Sequence, residues 1–331
     1  MGMIYISRKH QQDLIEKRVH AFLKGYRHNI ALIGDDNSGK KSLLTETFSK
    51  KFLNTALLPV YIDLYHVDQS TFVQASIFSI LHSYFKKTNP DLFASNINEL
   101  IFRAQESVPA VAEMAKASLA ENQSSKRSLE SVFGLLDLMI SEAKMKPVVI
   151  VDDFALFKDY SKRQLAEMTK RIVADKQYMF VFMSSDVVSA EDVLENELNL
   201  LFGAFEKMHI NSLDQAEADA LIRCRLNTKL SRSAQAYLMD TTGNNPYYMN
   251  VICDQFKSYS FDSISDELFT HVFADICISN KSVLFTRFMS QIEMIKATGK
   301  SDRLIKLMIA VSQGYTRKQE LSDTLKCEQK K

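Results

Sequence analysis

Cysteine, glycine and long apolar runs are all scarce in this chain of 331 residues, and each shortage excludes something. The four cysteines (Cys224, Cys253, Cys277 and Cys327) have no metal-ligand spacing, which excludes a zinc-finger or disulfide-built domain. They read as reduced thiols of a cytosolic protein. No run approaches the roughly 18 apolar residues that a bilayer-spanning helix needs, so no membrane partner is expected. The N-terminus carries no long apolar stretch either, and no signal peptide is expected. Charge of one sign is also missing: 41 basic residues face 40 acidic ones, for a net charge of +1. That balance removes bulk attraction to nucleic acid as a basis for function. The location expected is the cytoplasm, or the nucleus in a eukaryote.

Hydrophobic residues make up 46% of the chain and charged residues 24%, the profile of a globular protein with a packed core. The length allows two domains, or three small ones.

Only nine glycines are present, yet two stand at a required spacing before a lysine. Residues Gly34-Asp35-Asp36-Asn37-Ser38-Gly39-Lys40-Lys41-Ser42 follow the apolar run Asn29–Ile33 directly and lead into a helix-compatible run, Lys41 to Phe52. Chance gives that spacing in about a few per cent of chains this poor in glycine. The spacing is that of a phosphate-binding loop. Backbone N–H groups in a glycine-bounded turn form an anion nest, and the following helix N-terminus adds partial positive charge. The expected ligand contacts are Gly34, Asp36, Asn37, Ser38, Gly39, Lys40, Lys41 and Ser42, with Lys40 reaching the terminal phosphates. The usual pattern places Ser or Thr after the lysine as a magnesium ligand. Here that place holds Lys41, and Ser42 comes one residue late, about 100° further round the helix.

A second motif is Val148-Val149-Ile150-Val151-Asp152-Asp153, an apolar strand ending in two acids. On a strand adjoining the phosphate loop, Asp152 is expected to hold magnesium through water, alongside Ser42 as a metal-side residue. Asp153 is expected to position the attacking water. Asp153 is one methylene shorter than the usual Glu, and a misplacement of about 1 Å can cost ~100-fold in rate. Ser184, with Ser185, ends the next apolar strand and is placed to touch phosphate or that water.

Strands are predicted at Asn29–Ile33, from Pro59 to Leu64, from Lys146 to Asp153, from Tyr178 to Ser185 and from Lys207 to Ile210. Helices lie between them, which means a parallel sheet covered on both faces. Residues 91–129, rich in Ala and Glu, are predicted as a pair of surface helices joined near 122–127. After Asn211 only helices are predicted. The domain expectation is a sheet core over 1–211, a helical lid over 212–298 and a C-terminal unit over 299–331. In the last, Gly314 ends one helix and Thr316-Arg317-Lys318-Gln319 opens the next. That is the first half of a helix-turn-helix, a partial winged-helix-like tail or a plain helical hairpin.

With these motifs in place the chain resembles the P-loop ATPases of the AAA+/STAND group, and within it the archaeal-type ATPase family related to origin-recognition ATPases. The likeness also rests on Ile6-Ser7-Arg8 before the first helix and on Asp63 followed by Ser70-Thr71-Phe72. Ser184-Ser185 stand at the sensor position, and Leu201 to Phe205 precede the fifth strand. Thr242-Gly243-Asn244-Asn245-Pro246 resembles the family's lid turn. The resemblance implies a parallel P-loop NTPase sheet followed by an all-α lid. It implies ATP or ADP held between them with weakly held Mg2+, and Arg8 and Pro246 on the adenosine side. The family's arginine is missing at Gly203-Ala204-Phe205; Arg171, Arg223 and Arg225 are the candidates to replace it. Each departure weakens hydrolysis more than binding. The leading expectation is a nucleotide-dependent regulatory switch with slow turnover, whose protein partners engage the helical and C-terminal parts. A DNA-binding origin-recognition-like ATPase on double-stranded DNA, and a pseudo-ATPase scaffold, stand as alternatives.

Overall fold

The computed structural model describes residues 8–65, 71–91, 96–120, 128–198, 204–226, 230–259, 264–297 and 301–324. Ile6, Ser7, Ser70, Gly203, Cys327 and the 122–127 connection lie outside them. The described residues form two compact units divided after Leu213.

The first unit is built on five strands: β1 (Asn29–Ile33), β2 (Leu57–Asp63), β3 (Lys146–Asp152), β4 (Met179–Ser184) and β5 (Phe205–His209). All pair in parallel, in the order β2-β3-β4-β1-β5. Parallel neighbours need long crossovers. These are α2 (Lys40–Lys51), the group α3 (Phe72–Thr88), α4 (Ile97–Ser107), α5 (Pro109–Ala120) and α6 (Ser128–Ala143), then α7 (Lys162–Ala174) and α8 (Val187–Asp192). A helix α1 (Lys9–Leu23) precedes β1. The inner strands β1 and β4 are buried at every position, whereas the edge strands β2 and β5 alternate. Burial on both faces explains why the inner strands read as unbroken apolar runs.

The two faces carry separate cores. Ile30, Leu32, Ile150, Val181 and Met183 pack with α1 and α2 through Ile15, Val19, Leu43 and Phe48. Ala31, Ile33, Val149, Val151 and Phe182 face α3 to α7 on the other side. Successive residues of one strand thus serve opposite layers.

The α4–α5 region departs from expectation. The break falls at Val108–Pro109, and the helices are not a surface pair: Leu100, Ile101, Ala104, Val108, Val111, Ala112 and Ala115 are all buried in the core. Pro109 starts α5 because it has no N–H to lose and pushes the preceding residue out of helical backbone. The Glu142 carboxylate of α6 accepts the next two N–H groups, of Ala110 and Val111.

The second unit contains α9 (Gln215–Arg225), α10 (Arg232–Thr242), α11 (Pro246–Ser258), α12 (Asp266–Ile278), α13 (Val283–Ala297), α14 (Ser301–Ser312) and α15 (Lys318–Thr324). Asp214 and Glu217 form a reciprocal cap on α9. Gly243, at φ 56, closes α10, and Asn245 caps α11 ahead of Pro246. Arg225, the last residue of α9, is buried against α11, bonding Asn250 at 2.6 Å and Asp254 at 3.1 Å. α15 begins one residue later than the sequence pattern suggested: the Arg317 N–H donates to Glu320, not to Gln319.

Candidate phosphate-binding site

The loop begins where β1 ends, at the carboxyl edge of the sheet where α/β folds hold ligands. The Gly34 N–H still donates to the Ser184 carbonyl, at 3.2 Å. A Cβ at Gly34 would stand 2.1 Å from the carbonyl oxygen of Ile210, just past β5. Only glycine fits that approach. Asn37 and Gly39 take left-handed backbone, with φ of 57 and 96. Gly39 is the N-cap of α2 and brings no side-chain cap, and the first turn has no acid. The helix therefore presents unneutralised N–H groups and the positive end of its dipole.

Lys40 is the buried centre of this turn, 7% exposed. Its Nζ donates to the carbonyls of Gly34 (2.7 Å) and Asp35 (2.8 Å) and to Ser185 Oγ (3.1 Å). An ammonium group has three hydrogens, so an incoming phosphate has to displace one of these acceptors. Burial pulls the Lys40 pKa below the ordinary lysine value, while Asp152, Asp36, Asp153 and Asp35 pull it back up. The Ser38 hydroxyl is fully buried and has no hydrogen-bond partner among the described residues. Ser42 is half-buried one position beyond Lys41.

Arg8 is 5% exposed and donates to the carbonyls of Ser38 (2.8 Å) and Asn211 (2.6 Å). It clamps the loop backbone. Among the described residues these two bonds position the loop.

The strand that carries the acid pair is not the neighbour of β1. β3 does not adjoin β1; β4 runs between them. Asp152 and Asp153 therefore face the loop across the end of β4, where Ser185 meets Lys40. Ser184, expected to touch phosphate, is 1% exposed and spends its hydroxyl on Asp186 backbone, accepting from N–H at 3.1 Å and donating to C=O at 3.2 Å. Ser185 is the strand-end hydroxyl that reaches the lysine.

Asp153 has left-handed backbone, φ 53, a conformation that Asp tolerates better than most residues. Its carboxyl is pushed up to about 6, by burial first and then by Asp152 and Asp63, against the pull of Lys40. Asp152 accepts from the Asp153 N–H at Oδ1 (3.1 Å) and from the Tyr61 hydroxyl at Oδ2. Burial and that bond raise the Tyr61 pKa above the ordinary phenol value, so it keeps its proton. Tyr61 also carries Lys41: the ammonium stands 4.4 Å from the ring centre. Sequence reasoning missed Tyr61. Its signal was a single polar-tipped aromatic in an apolar strand, two residues before Asp63.

The magnesium pair expected, Ser42 and Asp152, does not fit an ion well. Position 41 presents a cation and both Asp152 oxygens already hold donors. Among the described residues no cluster of three or more His, Cys, Asp or Glu is arranged for a metal. Arg171 is also placed away from the loop. It pairs with Asp137 and Asp175 before the start of β4, the opposite end of that strand from Ser184. Arg223 pairs with Asp219 and Arg225 with Asp254, both within the helical unit. Pro246, also in that unit, is the first residue of α11. A cavity of about 990 Å³ lies beside the loop, over β2 between α2 and α3; Lys41, Phe48, Tyr61, Phe78 and His82 line it, and Lys40 and Ser38 do not.

No helix among the described residues is long and apolar enough to cross a membrane. No protein-family model matches the sequence, and no curated protein matches it. Solved structures do. A Walker-type ATPase of Pyrococcus abyssi is similar at 14% identity and a TM-score of 0.66, covering 97% of this chain and 84% of that one. The ORC2 protein of Aeropyrum pernix, solved in ADPNP-ADP complexes, is similar at 13% identity and a TM-score of 0.54, over 97% and 79%. The Cdc6p of Pyrobaculum aerophilum is similar at 10% identity and 0.53, over 98% and 82%. The five-stranded parallel sheet with flanking helices, followed by an all-helical region, is the fold shared with these archaeal proteins.

Proposed function

We propose that the chain binds ATP or ADP at residues 34–42 and works as a nucleotide-dependent regulatory switch with slow hydrolysis. The observation that carries this is the buried Lys40 ammonium, held by the loop carbonyls beneath an uncapped helix start. That is a preformed seat for a polyphosphate. The unpartnered Ser38 hydroxyl gives a phosphate oxygen a further donor. A protein of the same fold has been solved with ADPNP and ADP.

Slow turnover follows from what surrounds the loop. Asp153 is the candidate water-positioning acid, but it is short and raised to about 6. Among the described residues of the sheet unit, Arg171 is tied up in ion pairs away from the loop. An arginine on the transferring phosphate is worth about 10³ to 10⁵ in rate. Nucleotide occupancy would be passed on to protein partners through the helical and C-terminal parts. The boundary near 298 between lid and winged-helix-like tail belongs to this proposal.

Calorimetric titration with ATP and ADP tests the reading. Saturable binding that Lys40→Ala abolishes is the expected result; no heat from either nucleotide at millimolar concentration would overturn it. A second reading, binding of double-stranded DNA, is favoured by one neighbour of the same fold, the ORC1 protein of Aeropyrum pernix, solved in complex with DNA. Retention on duplex DNA that falls steeply with salt would support it.

A further inference from the structure

Lys41, Tyr61 and Asp152 form a bridge from the start of α2 to the ends of β2 and β3. The Lys41 ammonium lies over the Tyr61 ring, 4.4 Å from its centre, and the Tyr61 hydroxyl donates to Asp152 Oδ2. The other oxygen of Asp152 accepts the Asp153 N–H at 3.1 Å. A magnesium ion at a phosphate loop needs the reverse arrangement. It takes an oxygen ligand from the residue after the loop lysine, and an acid with free lone pairs for its water shell. Here the first place is filled by a cation, each oxygen of the second already accepts one hydrogen bond, one of them from a phenol, and the aromatic ring stands between the two. Ser42 leaves the helix about 100° away from position 41.

The same arrangement supplies what a divalent ion would bring to a nucleotide. Two adjacent lysines at one helix start place two point charges beside the nest. Lys41 is exposed, and among the described residues it is held by a ring face, a contact weak enough to exchange for a phosphate oxygen. Tyr61 then keeps Asp152 satisfied without a metal. Resting on the nucleotide reading above, we infer that the site takes its nucleotide as the metal-free polyphosphate. Lys41 supplies the charge of the missing ion, and Tyr61 withholds Asp152 from it.

The full chain is titrated with ADP and ATP in EDTA and again in excess Mg2+. The expected result is an affinity no tighter in Mg2+ than in EDTA, and weaker where excess Mg2+ draws the free polyphosphate into its own complex, whereas tightening with Mg2+ overturns the inference. Binding in neither buffer removes the nucleotide reading and this inference with it; binding confined to the Mg2+ buffer removes this inference alone. Mn2+ provides an independent readout by electron paramagnetic resonance in the presence of ADP. The wild-type chain is expected to hold no Mn2+ beyond that held by free ADP, and one tightly held ion per chain overturns the inference. Lys41→Thr combined with Tyr61→Phe is expected to create a protein-bound Mn2+ signal and a tenfold or greater Mg2+ dependence, on the order of 1.4 kcal/mol. If that variant does not fold, the wild-type measurements decide alone.

Discussion

The guanidinium of Arg8 donates to the Ser38 carbonyl at 2.8 Å, joining the residue before α1 to the middle of the phosphate loop. It also reaches the Asn211 carbonyl beyond β5, so one buried cation ties three stretches of chain together. Hydrogen bonds from a charged donor contribute about 1.5–3 kcal/mol each. Arg8→Ala is therefore expected to cost roughly 2–3 kcal/mol, a fall of about 5–10 °C in melting temperature for a unit this size. Nucleotide affinity should drop with it, since the nest amides lose their anchor. Arg8→Lys keeps the charge but ends one bond short of the guanidinium nitrogen that makes both contacts, so it should recover only part of both losses. An unchanged melting curve for Arg8→Ala would show that the clamp does not hold the loop.

Two loop glycines are required for different reasons, and their replacement should fail differently. At Gly34 an added methyl meets backbone, the Ile210 carbonyl, at 2.1 Å. β1 and the chain after β5 would have to part, at a cost of more than about 3 kcal/mol. Gly34→Ala should yield little soluble protein. At Gly39 the difficulty is the backbone itself, φ 96. Gly39→Ala should fold with a loss of about 1–2 kcal/mol but bind nucleotide at least tenfold more weakly, because the N–H groups at the helix start turn away. Gly25, at φ 92 with open space around it, is the control. Gly25→Ala should show a similar stability loss and unchanged nucleotide affinity. Equal affinity losses at Gly25 and Gly39 would mean that general destabilisation, and not the nest, sets binding.

Ser184 and Ser185 separate structure from ligand contact. Ser184→Ala removes two bonds inside a buried turn, so a loss of about 1 kcal/mol with affinity unchanged is expected. Ser185→Ala removes an acceptor that orients the Lys40 ammonium. It should leave the melting temperature nearly constant and weaken nucleotide binding several-fold, on the order of 1 kcal/mol. Differential scanning fluorimetry with and without ADP reads both effects. The reverse assignment, with Ser184 controlling affinity, would contradict the hydrogen-bond pattern.

Much of this site was legible in the sequence because phosphate recognition by backbone amides fixes residue spacing. Gly34, Gly39 and Lys40 had to stand where they do for the nest to form, and the apolar runs of β1, β3 and β4 follow from burial on both faces. Strand order was not legible. That β1 pairs with β4 and not β3 is decided by packing over distant segments, which no local pattern encodes. Tyr61 was hidden for the same reason: alternation tells which face it takes, not that Asp152 lies within reach. The α4–α5 segment, rich in Ala and Glu, reads as surface helix although it packs in the core. Ala104, Ala112 and Ala115 are instead the small residues that let the helices approach closely in the core. The choice between Ser184 and Ser185 turned on strand parity at the last residue, where one step reverses the side chain.

Asp153 is expected to make nucleotide binding a proton-coupled event. Its carboxyl sits at about 6 against an ordinary 3.8, raised by burial and by Asp152, Asp63 and Asp36, and lowered by Lys40. The folded state therefore holds this proton more tightly than the unfolded chain. The stabilising contribution is complete below the unfolded value, and it is lost as pH rises through about 6. A bound polyphosphate adds negative charge on the same side as the acids and raises the group further. At about pH 6.5 Asp153 is mostly ionised without ligand and becomes more protonated with it, so binding should take up protons. Titration with ADP in two buffers of different ionisation enthalpy measures that uptake. The phosphates of ADP exchange protons as well, so the decisive quantity is the difference between wild type and Asp153→Asn. A positive difference that disappears towards pH 9, roughly three units above the folded value, is expected. Identical proton uptake in the two proteins would show that Asp153 does not feel the ligand, and would remove it as the group that positions water beside the terminal phosphate.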